Sequence, residues 1–133
     1  MSTKDKIKSV DEGFIKKGAS KITEEDVGKV NDKADEIRTK FEHGGPLGRF
    51  INDAKLLLSV VKDYWSGKYR KIPWWAISAI VFTLLYVLSP VDLIPDFIPV
   101  VGLLDDAAVM GLCLYLLEQE LQHYKEWKME NPD

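Results

Sequence analysis

"IPWWAISAIVFTLLYVL" occupies residues 72–88, and how it is surrounded decides the fold. The stretch contains no Asp, Glu, Lys or Arg. Pro73 stands where a first helical residue belongs, because a missing N–H is no loss in the first turn. The helix so predicted is apolar on every side, the pattern of a rod buried in a large core or in lipid. A chain of 133 residues has little protein with which to enclose such a rod, so lipid is the expected surrounding. Lys68, Tyr69, Arg70, Lys71, Trp74 and Trp75 stand at its start. That mixture of basic and aromatic side chains reads as a membrane–water boundary.

The rod is short for a bilayer. Pro73–Leu88 reaches about 24 Å at ~1.5 Å per residue, against a hydrocarbon core of ~30 Å. The next apolar run, Ala107–Leu117, is shorter still, and between them lies "LSPVDLIPDFIPVVGLLDD" from Leu88 to Asp106. A straight second span would put Asp105 and Asp106 near mid-bilayer at roughly 2.5–3.5 kcal/mol each. A membrane hairpin over about 72–117 fits better, with its Pro/Asp-rich turn at the far interface or inside protein, since irregular backbone cannot face lipid. Lys62, Lys68, Arg70 and Lys71 precede the hairpin, Lys125 and Lys128 follow it, and no basic residue lies between. Both termini are then expected on the cytoplasmic side of the inner membrane. The alternative is a soluble helical bundle in which residues 23–65 wrap the hairpin and which binds a partner helix.

The turn's carboxylates have two readings. In the first they close helix ends: Ser89-Pro90-Val91-Asp92 has the form of a helix start, Asp96 can cap a short turn, and Asp105 can cap the last helix with Asp106 in its first turn. In the second, Asp92, Asp96, Asp105 and Asp106 converge and hold Mg2+ or Ca2+, or carry protons. Their spacing matches no metal-binding loop. Elsewhere the chemistry is sparse. His43 and His123 have no ligand partner at metal spacing, Ser59 and Ser78 have no base nearby in sequence, and "GGPLG" lacks the Lys-Ser/Thr ending of a phosphate loop. No catalytic residue and no cofactor are expected. Cys113, the single cysteine, sits in an apolar run as a small buried hydrophobe.

Charge divides the chain. Residues 1–71 carry 16 Lys and Arg against 12 Asp and Glu, and residues 72–133 carry 2 against 9, within a net charge of −3. The basic residues from Lys55 to Lys71 therefore suit an anionic lipid surface better than nucleic acid. Lysines precede any apolar stretch at the N-terminus, unlike a cleavable signal peptide. Ile7, Val10, Phe14 and Ile15 predict a short amphipathic helix within 1–22, weakened by Gly13 and Gly18. Thr23 followed by Glu24, Glu25 and Asp26 predicts a capped start for one helix ending at Gly44-Gly45-Pro46, with Val27, Val30, Ala34, Ile37 and Phe41 as its seam. A second amphipathic helix is predicted over Leu47–Trp65, with Asp63 off its apolar face and Ser66-Gly67 as its stop. A last helix is predicted from about Asp105 to Met129.

From Ser89 to Asp106, and more weakly over Phe50–Leu117, the chain resembles the YkvA-like family, a bacterial and archaeal domain of unknown function. The resemblance implies a small membrane-associated helical domain over 46–133, with signature positions at Pro90, Asp92, Pro95, Asp96, Pro99, Gly102, Asp105 and Asp106. It implies no activity. Residues 1–45 lie outside it as a variable amphipathic helical region. Together these readings predict an all-α protein whose role is non-enzymatic: a membrane-anchored scaffold that meets anionic lipid and either an unknown protein or its own copies. An oligomeric cation or proton pathway through the Asp-rich turn is the other class.

Overall fold

The computed structural model describes residues 13–43, 45–88 and 106–132. Their regular structure is all helical, with no strand among the described residues. Helix α1 covers 13–19, α2 Glu24–Asp32, α3 Ala34–Glu42, α4 Ile51–Trp65, α5 Trp74–Leu88, α6 Asp106–Leu116 and α7 Glu118–Glu130. A 3-10 turn, Gly45–Phe50, leads into α4.

Local chemistry sets most of the ends. Thr23 caps α2 in a reciprocal box: the Asp26 N–H donates to Thr23 Oγ1 at 3.4 Å, and the Thr23 N–H donates to Asp26 Oδ2 at 2.9 Å. Gly45, which opens the 3-10 turn, and Gly67, just after α4, stand at φ +71° and +86°, a region in which a side chain would be strained. Pro73 sits at the cap of α5, its carbonyl accepting from Ala76 and Ile77. Two helices predicted as continuous are bent. At Lys33 (φ −100°, ψ 17°) and Leu117 (φ −105°, ψ 13°) the chain leaves helical geometry for one residue, while the flanking backbone bonds persist. These are kinks in the ladder rather than loops.

Of the seam read from the sequence, Val27, Val30, Ile37 and Phe41 are fully buried and Ala34 is partly buried against them. The kink at Lys33 lets α2 and α3 each pack on both α4 and α5. The surroundings of α5 require a correction. Ala76–Val87 are all buried, none more than 6% exposed, and the cover is protein. Helices α2, α3, α4 and α6 pack on α5, and α1 adds Phe14, whose ring lies 5.6 Å from Phe82 and 5.5 Å from Tyr86. Gly18 of α1 comes so close that any Cβ there would overlap the Phe82 ring. The expectation of lipid judged the chain by its length; the number of amphipathic faces available is what matters, and five helices supply them. Among the described residues no helix is long and apolar enough to cross a membrane, so the expected transmembrane helix is not seen there. The Pro/Asp-rich turn joining α5 to α6 lies outside the described residues.

Candidate functional site

The start of α5 is the most distinctive surface. After α4, Gly67 turns the backbone so that the Tyr69 N–H donates to the Asp63 carbonyl at 3.1 Å, folding residues 66–73 back over the helix end. Tyr69 is thereby turned inward, 4% exposed, with its ring 5.1 Å from Tyr124 and 4.9 Å from Trp127. It belongs to the core and not to the predicted boundary set. Burial, and after it the charge of Glu120, raises its phenol pKa. The other five predicted boundary residues are exposed: Lys68, Arg70, Lys71, Trp74 and Trp75. The two indoles are 41% and 53% exposed, unusual for the largest apolar side chains. Arg70 lies over the Tyr64 ring at 4.4 Å, and Trp74 lies 6.5 Å from the same ring. Trp65, also exposed, covers Gly28 of α2, where a Cβ would come within 2.8 Å of the indole.

Beside these indoles runs an open groove of about 580 Å³ between α1, the first turns of α5 and the end of α6. Lys16, Ala19, Ser20, Trp74, Trp75, Ser78, Ala79 and Leu116 line it. Ser78 is 1% exposed, and its hydroxyl has no hydrogen-bond partner among the described residues. Thr83 lies deeper on α5, fully buried beside the Cys113 thiol.

A buried polar cluster ties α4 to α7, and the sequence reading missed it. Asp63 is 2% exposed despite its assignment to the polar face. Its Oδ2 accepts from the Tyr124 hydroxyl at 2.6 Å and from Lys128 Nζ at 3.2 Å, while Tyr124 Oη also lies 2.5 Å from Ser59 Oγ. Burial, then the hydrogen bond to Asp63, pushes the Tyr124 phenol up to about 12. A signal was present: Ser59 and Asp63 are four residues apart, as are Tyr124 and Lys128, so each pair shares one helix face. Ser59 also lines a shallow charged hollow with Asp35, Arg38, Lys55 and Lys62, which opens one end of the cluster to solvent. The cluster holds two helices together, and nothing in it resembles a nucleophile beside a base.

Of the turn and capping residues, Ser89, Pro90, Asp92, Pro95, Asp96, Pro99, Gly102 and Asp105 lie outside the described residues, and Asp106 opens α6. Among the described residues no three of His, Cys, Asp or Glu gather as a metal site would require. His43 and His123 are exposed, with His43 Nδ1 2.7 Å from the Thr39 carbonyl. Cys113 is fully buried against α5, its sulfur 4.0 Å from the Ala79 carbonyl, and burial pushes its thiol up to about 12. Such a thiol is inert rather than nucleophilic.

Comparison with known proteins agrees with the signature. A family model described as "Protein of unknown function (DUF1232)" matches residues 76–112, from the body of α5 into α6. The "Uncharacterized membrane protein YkvA" of Bacillus subtilis (strain 168) is 34% identical over 80 residues, which span 60% of this chain and 76% of that protein. No solved structure matches.

Proposed function

The chain belongs to the YkvA-like family, and from that premise we propose that it is a non-catalytic, membrane-associated helical protein that docks on the bilayer surface through the start of α5. The observation that carries this reading is the exposed pair Trp74 and Trp75 set among Lys68, Arg70 and Lys71. Indoles favour the headgroup level, and basic side chains there are drawn to anionic lipid at about 1 kcal/mol each. The B. subtilis relative is named a membrane protein, which supports a membrane role here. With α5 enclosed by protein, docking from one side needs no crossing and leaves the chain on the cytoplasmic face. The charged outer faces of α2 and α3 then point away as a scaffold surface for a protein partner or a second copy.

Vesicle sedimentation tests this reading. The chain should sediment with phosphatidylglycerol-rich vesicles, much less with phosphatidylcholine alone, and be released by about 1 M salt, where screening shortens to ~3 Å. Replacing Lys68, Arg70 and Lys71 by Gln should weaken binding on the order of 100-fold. Binding that ignores both those changes and Trp74→Ala with Trp75→Ala would refute surface docking.

A further inference from the structure

Asp63 joins two parts of the molecule that lie far apart in sequence. Its main chain holds the connection from α4 to α5: the carbonyl accepts from the Tyr69 N–H at 3.1 Å and from Ser66 Oγ at 3.2 Å. Its side chain holds α7, accepting from Tyr124 Oη at 2.6 Å and from Lys128 Nζ at 3.2 Å. The two parts also meet directly. The Tyr69 ring packs on Tyr124 at 5.1 Å and on Trp127 at 4.9 Å, and those two rings stack on each other at 5.8 Å.

Each part has few other fastenings. Of residues 66–73 only Tyr69 and Ile72 are buried, and Ile72 lies at the threshold of α5. Gly67, at φ +86°, is a joint with wide backbone freedom at the other end. The Tyr69 ring is therefore the anchor that decides how its neighbours Lys68, Arg70 and Lys71 are presented. Helix α7 faces the body through Leu121, Tyr124, Trp127 and Lys128, while His123, Lys125 and Glu126 are exposed. The kink at Leu117 sets it off from α6. A helix held along one narrow face at an edge opens more readily than the core does.

We propose that α7 is a clasp that positions the docking connection. While Tyr124 and Trp127 hold the Tyr69 ring, Lys68, Arg70 and Lys71 keep the arrangement that meets anionic lipid; when α7 lifts away, they lose it. The inference rests on the docking reading and adds its regulation: a partner that draws α7 off the body weakens attachment, and by linkage attachment holds α7 down. Asp63, Tyr69 and Tyr124 are buried and Trp127 is half-buried against them, so they are positioning residues that act through the connection.

The experiment makes two measurements on the full chain: hydrogen exchange of residues 66–73 in plain buffer, and sedimentation with phosphatidylglycerol-rich vesicles. Trp127→Ala should speed exchange of the Tyr69 amide about tenfold and weaken vesicle binding about tenfold, the cost of ordering on docking what was ordered beforehand. Trp127→Phe, which keeps a ring against Tyr69, should restore most of both. Lys40→Met, at the far end of α5, controls for general loss of stability and should change neither. In wild type, saturating vesicles should slow exchange of the α7 amides severalfold, a response that a merely structural helix lacks. Unchanged Tyr69 exchange in Trp127→Ala, vesicle binding by that variant equal to wild type, or the same two effects in Lys40→Met overturns the clasp. Wild type that ignores the vesicles while Trp127→Ala still frees the Tyr69 amide sinks the docking reading and leaves the clasp on the connection standing, so the two fail separately.

Discussion

At the scale of single residues, the energetics concentrate at Asp63. A carboxylate 2% exposed is tolerated because Tyr124 and Lys128 both donate to it, and removing it strands them. Asp63→Ala should cost about 2–3 kcal/mol in urea unfolding, below the cost of a fully buried pair because Lys128 is 30% exposed. Tyr124→Phe should cost about 1 kcal/mol, and the double variant less than the sum. A cycle that proves additive would show that the groups do not act together. The same tyrosine sets a pH dependence. Its phenol titrates near 10 when unfolded and at about 12 when folded, so the native state holds the proton more tightly. The stability this contributes is complete below pH ~10 and lost as pH rises toward 12. Cys113, raised from 9.0 to about 12, adds a loss of the same sign that begins lower. Urea midpoints should therefore fall from about pH 9 upward, with Tyr124→Phe flattening the upper part of the decline. An unchanged slope in that variant would remove the assignment.

Among elements, helix ends carry the clearest design. Lys40 of α3 donates to the Val87 carbonyl at 2.9 Å and the Leu88 carbonyl at 3.1 Å, a cation on the negative end of α5 where that helix has no basic residue of its own. Lys40→Met should lower stability by about 1 kcal/mol, and part of the deficit should disappear in high salt, which screens an exposed cation from the helix dipole. Element boundaries were largely legible in the sequence, since Thr23, Gly45, Gly67 and Pro73 act on their own neighbours. The seam from Val27 to Phe41 was legible for the same reason. The kinks at Lys33 and Leu117 were not, because no breaker residue marks them and packing against α4 and α5 sets them. Asp63 was misjudged because its partners lie 61 and 65 residues away. Trp74 and Trp75 were read as a membrane–water boundary and are exposed, but the groove beside them needed α1 and α6 to be placed first.

For the whole molecule, the central fact is a charge-free helix enclosed by its own chain. An all-round apolar pattern is the same whether protein or lipid surrounds it, so residues 72–88 alone did not decide the matter. Enclosure predicts a gradient of local stability. Amides in the middle of α5, from Ile80 to Leu85, should exchange hydrogen only through global unfolding, while those of α7, held by Leu121, Tyr124 and Trp127 at one edge, should open at lower free energy. Exchange of α5 at the same rate as α7 would contradict a core built around it. The order of the chain gives this arrangement a further meaning. Helices α1 to α4 are synthesised before α5, and translation proceeds at roughly 5–20 residues per second, far slower than a helix forms. The receptacle for the greasiest segment is thus made before the segment itself leaves the ribosome, and a nascent stretch that would otherwise invite aggregation meets its own sheath first.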